Sequence, residues 1–332
     1  MRLSVVICTY NGAAYLAEQL ESILHQTVPV DEIILSDDGS SDGTVALAEA
    51  LLKDAGVSYK ILCNRSPKGV AANFLGAMKC AGGDYVFTCD QDDIWFPDKV
   101  QQFLTEAEKS SAQLYFSDGI LVNGSGAPLG TNLWEAYDIS LNTLTSAPLL
   151  PILLRRPVVT GAAMMVSRGL ISSVDSIPEG FLHDEWFAVC AALRDGAIPL
   201  PNPTFYYRQH GGNVIGAKRL SFADRLKKWL KGFQTLQQLR EANCAKLGAI
   251  LAAGQDSPYA PLLREAYDFW LTMKQLNSLG RGKRISVILQ CYRNGSYQRF
   301  YTGKRGCLRD GISALLTAKG SLDCCGPFGR LR

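Results

Sequence analysis

The sequence predicts an α/β protein, a mostly parallel sheet flanked by helices, with a basic helical module after it. Three observations carry that expectation. Short apolar runs rich in β-branched residues alternate with segments of helical periodicity, the pattern of consecutive βαβ units. Polar clusters containing acids and glycines follow the ends of those runs, where open α/β sheets place their ligands. Charge is divided along the chain: residues 1–217 hold 13 Lys+Arg against 24 Asp+Glu, net −11, and residues 218–332 hold 21 against 7, net +14, within an overall +3.

Leu3-Ser4-Val5-Val6-Ile7-Cys8 is a nearly continuous apolar run, as expected of a parallel strand buried on both faces, and it ends at Thr9-Tyr10-Asn11-Gly12. Tyr15, Leu16, Leu20, Ile23 and Leu24 recur at helical intervals, so a helix is expected from Ala13 to Gln26. Glu32 to Leu35 reads as a second strand leading into Ser36-Asp37-Asp38-Gly39-Ser40, and Thr44 to Leu52 as a second helix. Ser58 to Leu62 and Ala71 to Cys80 continue the alternation to a strand at Tyr85 to Cys89, which runs straight into Asp90-Gln91-Asp92-Asp93.

A helix is expected over Lys99 to Lys109, then strands at Leu114 to Ser117 and Gly119 to Val122, a turn at Asn123 to Gly126, and irregular or helical chain over 131–157. Val158 to Val166 reads as a buried strand, with Gly161 at a point where a side chain is unwelcome. A helix from Phe181 to Leu193 and a strand from Thr204 to Arg208 complete the first part, and the change to basic, helical composition beyond Gly216 places a domain boundary near 217. In that second domain, 218–332, Ser221 to Gln234 sets Phe222, Leu226, Trp229, Leu230 and Phe233 among Arg225, Lys227, Lys228 and Lys231. Such a helix fits either an anionic membrane surface or packing onto the first domain.

No stretch of about 18 uncharged apolar residues is present, so no bilayer crossing is expected. Met1-Arg2-Leu3 leads directly into strand pattern with no cleavage site, which predicts an unprocessed, cytoplasmic protein. The 10 cysteines include no CxxC pair and lie mostly among apolar neighbours, as reduced thiols do; the adjacent Cys324 and Cys325 lack partners at metal-site spacing.

Two clusters point to chemistry. Three carboxylates within Asp90 to Asp93 repel one another, and a fold tolerates them best beside a divalent cation or a strong donor set, although a solvated acidic turn has the same composition. In Asp37-Asp38-Gly39-Ser40-Ser41-Asp42-Gly43-Thr44, helix capping accounts for Ser40, Ser41 and Asp42 but not for the paired acids. A carboxylate there can accept the N3–H of a uracil or thymine ring.

Val6 to Gly12, Leu35 to Thr44 and Cys89 to Asp93 together resemble glycosyltransferase family 2, over about the first 215 residues. The resemblance implies an A-type glycosyltransferase fold, Rossmann-like with a mostly parallel sheet flanked by helices, a nucleotide-diphosphate sugar donor, a divalent cation (Mg²⁺ or Mn²⁺), and inversion at the anomeric carbon. By its motifs, Tyr10 packs on the base, Asp38 is the polar contact of the base and Asp90 lies on the ribose side. Thr9, Asn11, Asp37, Gly69 and Asn73 join the nucleotide contacts. Asp92 is similar to the metal ligand, with His210 as a nitrogen ligand or donor, and Asp93 either assists there or caps the helix from Phe96 to Lys109.

An inverting transfer needs a base for the acceptor hydroxyl. The family usually has an acidic pair at a helix start. Here His183 precedes Asp184, so Asp184 is the matched residue and Glu185 a surface helix residue. A helix N-terminus lowers the pKa of Asp184, so activation would come from desolvation by substrate. Arg208, before the glycine pair Gly211-Gly212, offers charge to a diphosphate, and Gln91, Gly161, His183 and Trp186 complete the expected donor or acceptor contacts.

Cys89 to Trp95, His183 to Trp186 and Arg208 to Gly211 look most like the rhamnosyltransferase branch, which implies dTDP-L-rhamnose as donor and a lipid-linked saccharide of cell-surface polysaccharide or O-antigen synthesis as acceptor, at the inner face of the membrane. A UDP-hexose transferase would carry nearly the same motifs. A nucleotidyltransferase would need a glycine-rich phosphate loop and a basic residue after the first strand, which Thr9-Tyr10-Asn11-Gly12 lacks. Intact Asp38, Asp92 and Asp184 argue against a non-catalytic sugar-nucleotide-binding protein, and no nucleic-acid partner is expected.

Overall fold

The computed structural model describes residues 1–66, 68–210 and 235–316. Leu3–Thr9 (β1), Glu32–Asp37 (β2), Ser58–Cys63 (β3) and Tyr85–Cys89 (β4) are parallel neighbours, connected through the helices Ala13–Leu24 (α1), Thr44–Leu52 (α2) and Val70–Cys80 (α3). After Ile94–Trp95 (β5) and Lys99–Lys109 (α4) come Leu114–Phe116 (β6), Ile120–Asn123 (β7) and Pro128–Asn132 (β8). Short helices follow at Leu133–Ala136 (α5), Leu141–Thr145 (α6) and Leu150–Leu153 (α7). Met164–Ser167 (β9), Arg168–Ser172 (α8), His183–Ala192 (α9), Ala197–Pro199 (β10) and Phe205–Gln209 (β11) complete the first unit.

The main sheet has seven strands in the order β10-β6-β9-β4-β1-β2-β3, and only β9 runs antiparallel to its neighbours. A second sheet, β5-β11-β7-β8, lies beyond the end of β4. Burial explains the layering: β1 and β2 are covered on both faces, and Val5, Ile7, Ile33, Leu35 and Phe87 share one core with Leu16, Leu20 and Ile23 of α1 and Val100 and Phe103 of α4. Each such aliphatic side chain contributes roughly 1.5–3 kcal/mol on burial. β3 alternates exposed and half-buried residues because it is the sheet edge.

The strand expected from Val158 to Val166 forms only from Met164 onward. Gly161 to Ala163 is instead a 3₁₀ turn, because side chains take its backbone groups: Asp184 accepts from Gly161 N–H, Thr88 donates to the Gly161 carbonyl, and Lys99 donates to the Ala162 carbonyl. β8 was not foreseen; Pro128, Leu129 and Gly130 are exposed and carry no burial pattern.

The chain divides into two compact units, Met1–Arg219 and Leu220–Arg332. Within the second, Leu236–Ala253 (α10) pairs with Ala260–Gln275 (α11), followed by Arg281–Arg293 (α12), Ser296–Phe300 (α13) and Lys304–Leu316 (α14). Leu263, Ala266, Phe269, Trp270 and Met273 supply its apolar seam. A buried polar centre fixes the remaining helices: Arg240 Nη2 donates to Asp310 Oδ1 at 2.6 Å, and Tyr297 Oη donates to Asp310 Oδ2 at 2.8 Å. Among the described residues no helix is long and apolar enough to cross a membrane. The glycine pair Gly211-Gly212, the segment Ser221 to Gln234 and the Cys324-Cys325 pair lie outside the described residues.

Candidate active site

β1 and β4 pair in parallel with Ile7 opposite Cys89, and the sheet extends from them in opposite directions, to β2 and β3 on one side and to β9, β6 and β10 on the other. That pair is the topological switch point, and the crevice beyond its carboxyl ends is where such sheets bind ligands. Tyr10 and Asp90 continue the two strands into this crevice.

On the β1 side, the Tyr10 ring is 57% exposed. Its backbone is held by Gln91, which accepts from Tyr10 N–H at 2.8 Å through Oε1 and donates to the Tyr10 carbonyl at 3.1 Å through Nε2. Asn11 is at φ 49, its Oδ1 accepting from Ser41 N–H at 2.9 Å.

Several expected nucleotide contacts are instead spent on the wall itself. Asp37 accepts from Thr9 Oγ1 (2.8 Å), Ser40 Oγ (2.5 Å), Gly39 N (3.0 Å) and Ser40 N (2.8 Å), which fills the roughly four acceptor sites of a carboxylate and commits the Thr9 hydroxyl proton. Asn73 is buried, with Oδ1 accepting from Ser36 Oγ and Asn64 Nδ2 and its Nδ2 donating to the Ser36 carbonyl. Asp38 accepts from Asn64 Nδ2 (3.0 Å), Lys68 N (2.8 Å) and Gly69 N (3.0 Å), so it ties β2 to the turn before α3. Gly69 adopts φ +79, where a side chain would be strained.

On the β4 side, Asp92 Oδ2 meets His210 Nε2 at 2.6 Å, and the His210 ring stacks on Tyr15 at 4.7 Å. Arg208 differs from expectation. It is buried in β11; its Nε donates to the Asp92 carbonyl at 2.8 Å, Nη1 to the Gly124 carbonyl at 3.0 Å and Nη2 to Glu18 Oε2 at 2.5 Å. With that fork engaged, Arg208 braces the Asp92 turn.

Asp93 is also not the helix cap: the residue before α4 is Asp98, and Asp93 Oδ1 accepts from Arg208 N–H at 3.1 Å. Its Oδ2 is buried without a hydrogen-bond partner, and burial, then Asp92 and Asp90, push its carboxyl well above the usual carboxylate range. Asp90 rises to about 7, chiefly through burial and then through the charges of Asp92 and Asp184, against the pull of Lys99.

Asp184 lies in the first turn of α9. Its Oδ2 accepts from Gly161 N–H at 2.9 Å and its Oδ1 from Glu185 N–H at 2.8 Å. Glu185 reaches back to Leu182 N–H at 3.4 Å, so the helix end is served by Glu185. His183 stacks on Phe74 at 3.8 Å, and a Cβ on Gly161 would come within 2.6 Å of its Nε2, which is why position 161 has no side chain. Burial lowers the His183 pKa to about 3, so the ring is neutral. Trp186 is buried, its ring 5.0 Å from that of Phe181.

The donor set fits a hard divalent ion in part. Asp92 and His210 offer oxygen and imidazole, and Asp93, next in the chain, has a buried Oδ2 with no hydrogen-bond partner among the described residues. Among the described residues no three His, Cys, Asp or Glu side chains converge, so an ion here would draw its remaining ligands from phosphate oxygens and water, as Mg²⁺ sites commonly do.

Residues 4–173 match the family model described as glycosyl transferase family 2. The chain belongs to that family. It is 27% identical to the dTDP-rhamnosyl transferase RfbG of Shigella flexneri over 67% of this chain and 77% of that one. It is 34% identical to the putative glycosyltransferase EpsE of Bacillus subtilis over 36% of this chain and less than half, 44%, of that protein. Among solved structures it is similar to S. aureus TarS in complex with UDP-GlcNAc (TM-score 0.57, 17% identity, 83% of this chain and 73% of that one). It is also similar to the mannosyltransferase PcManGT of Pyrobaculum calidifontis in complex with GDP-Man and Mn²⁺ (TM-score 0.52, 15% identity, 95% and 87%). The fold is that of the A-type glycosyltransferases, and residues 4–173 form a family 2 glycosyltransferase domain.

Sequence reasoning missed Lys99 in this family 2 site. It is fully buried, donates to the Ala162 carbonyl at 2.9 Å and lies 4.2 Å over the Trp95 ring and 4.6 Å over Phe205. Burial brings its pKa down to about 7, against the opposing pull of Cys89, Asp93 and Asp90. One signal was available: a lysine in the first turn of a helix opposes the macrodipole and calls for another reason to be there.

Proposed function

We propose that this glycosyltransferase is an inverting, metal-dependent enzyme that moves L-rhamnose from dTDP-L-rhamnose onto a lipid-linked saccharide of cell-surface polysaccharide or O-antigen synthesis, in the cytoplasm at the inner membrane face. One observation supports the chemistry: Gly161 donates its N–H to Asp184 and accepts from Thr88 of β4, so Asp184 is tied to the strand that runs into Asp90 and Asp92. The likeness to RfbG over two thirds of the chain supports the donor.

In this reading the exposed Tyr10 ring stacks on the thymine, the Asp38 turn sets the edge of the base pocket, and Asp90 faces the ribose. Asp92 and His210 would hold Mg²⁺ or Mn²⁺, and such an ion would supply positive charge to offset that of the departing diphosphate. Asp184 takes the proton of the acceptor hydroxyl; that oxygen forms the new bond to the anomeric carbon as the bond to the nucleoside diphosphate breaks on the opposite face. Gly161 N–H and Glu185 N–H fix the Asp184 carboxylate for that approach.

The test is a panel of nucleotide sugars with Mg²⁺ or Mn²⁺, scored for thermal stabilisation and donor hydrolysis. dTDP-L-rhamnose should stand out; a UDP-hexose standing out instead would replace the donor assignment. Asp184→Asn should keep donor binding and lose transfer by about 10²–10⁴-fold, and near-normal turnover in that variant would remove Asp184 as base.

A further inference from the structure

Helix α14 is packed inside out. Its buried positions are Gly306, Asp310, Ser313 and Ala314, whereas Leu308, Leu315 and Leu316 are 63%, 56% and 75% exposed. At about 100° per residue, Lys304, Arg305, Leu308, Ile312, Leu315 and Leu316 fall within about 120° of one another, opposite the buried set. The orientation is locked from within: Asp310 is held by Arg240 and Tyr297, and the Tyr301 ring occupies the space a side chain at Gly306 would need. The leucines therefore face outward because the buried ion pair leaves them no other direction.

Charge gives the second observation. Lys304 and Arg305 are exposed in the first turn of α14, where no acidic residue accompanies them and the macrodipole is already positive. They oppose helix stability unless something anionic meets them. Alongside, α12 packs on α14 and exposes Arg281, Lys283 and Arg293 together with Leu289.

We propose that the outward face of α14, flanked by the basic residues of α12, seats the protein on an anionic lipid bilayer, the leucines entering the acyl boundary and the cations meeting headgroup phosphates. A second copy of the same face would bring two modules of net +14 together. A nucleic-acid backbone would satisfy the cations and leave the leucines in water. An anionic bilayer answers both features, and it does so whatever the donor sugar proves to be.

Flotation of the full chain with vesicles tests the proposal. The protein should float with phosphatidylglycerol-containing vesicles and not with pure phosphatidylcholine, and rising salt should weaken the association. Leu308→Gln/Leu315→Gln/Leu316→Gln should lower partitioning about tenfold or more, and Lys304→Glu/Arg305→Glu should do the same through charge alone. Circular dichroism and donor hydrolysis should stay as in the parent protein, which separates this outcome from a failed donor assignment. Absence of flotation, equal binding to neutral vesicles, or unchanged flotation of both variants would overturn it. So would light scattering in which the leucine variant turns a dimer into a monomer without altering flotation.

Discussion

Gln91 holds Tyr10 through both of its amide atoms, Oε1 accepting from the backbone N–H at 2.8 Å and Nε2 donating to the carbonyl at 3.1 Å. The side chain thus takes the part of a neighbouring strand at the point where β1 has left the sheet. It fixes the backbone from which the exposed Tyr10 ring projects. Two net hydrogen bonds of about 0.5–1.5 kcal/mol each are at stake, so Gln91→Ala should raise the KM for the nucleotide sugar by about 5-fold and at most about 150-fold, with a smaller change in kcat. Gln91→Glu, which keeps only the carbonyl-type acceptor, should fall between; unchanged KM in both would show that Tyr10 needs no such support.

Asp92 pairs with His210 at 2.6 Å in the absence of any third converging ligand among the described residues. Chelation of divalent cations should therefore weaken donor binding about tenfold or more, because phosphate oxygens and protein ligands share the ion. Asp92→Asn should erase the response to added Mg²⁺ or Mn²⁺ in calorimetric titration of the donor. A variant that still responds normally would place the ion elsewhere.

His183 gives a pH signature independent of turnover. Its folded pKa of about 3 lies below the ordinary 6.5 because burial penalises the imidazolium. Unfolding lets the ring take up a proton below about 6.5, so its contribution to stability is intact above that pH and is lost as pH falls towards 3, with a slope of at most about 1.4 kcal/mol per pH unit. Between pH 7 and 5 the unfolding free energy of the parent protein should drop by up to about 2 kcal/mol more than that of His183→Gln. Parallel curves in urea titrations would contradict the buried neutral ring.

Lys99 should matter to catalysis as well as to stability. Lys99→Met keeps an unbranched stem against Trp95 and Phe205 and removes both the bond to the Ala162 carbonyl and the positive charge felt by Asp93 and Asp90. The substitution leaves the Ala162 carbonyl without this donor and Asp90 and Asp93 without their buried counter-charge, so the unfolding midpoint should fall as well. Transfer should fall about tenfold or more, because Ala162 adjoins Gly161, whose N–H orients Asp184. Full activity in a stable Lys99→Met variant would reduce Lys99 to a packing residue.

The repeating strand-helix pattern through Cys89 was legible because β1, β2 and β4 are built on short apolar runs and are buried along nearly their whole length, so local composition and tertiary position agree. Gly161 to Ala163 broke that agreement. Its residues read as strand, yet side chains distant in sequence claimed its backbone groups, and no local pattern encodes such partners. The hydrogen-bond partners of Arg208 and Asp37 were not legible for a related reason. A charged residue at a strand end has the same appearance whether its atoms face a ligand or are consumed by neighbours, and only the hydrogen bonds distinguish the two.

The sequence by itself determined the α/β class, the order of the first strands and helices, and the motifs at Tyr10, Asp38, Asp92 and Asp184 that mark the family, because periodicity and composition act over neighbouring residues. The tertiary structure decided which of those polar atoms remain open, why His183 and Lys99 are buried beneath the crevice, and which way the leucines of α14 face. Those outcomes depend on pairings across tens to hundreds of residues, such as Arg208 with Glu18 and Arg240 with Asp310, where burial and hydrogen-bond competition set the result and local sequence has no access to it.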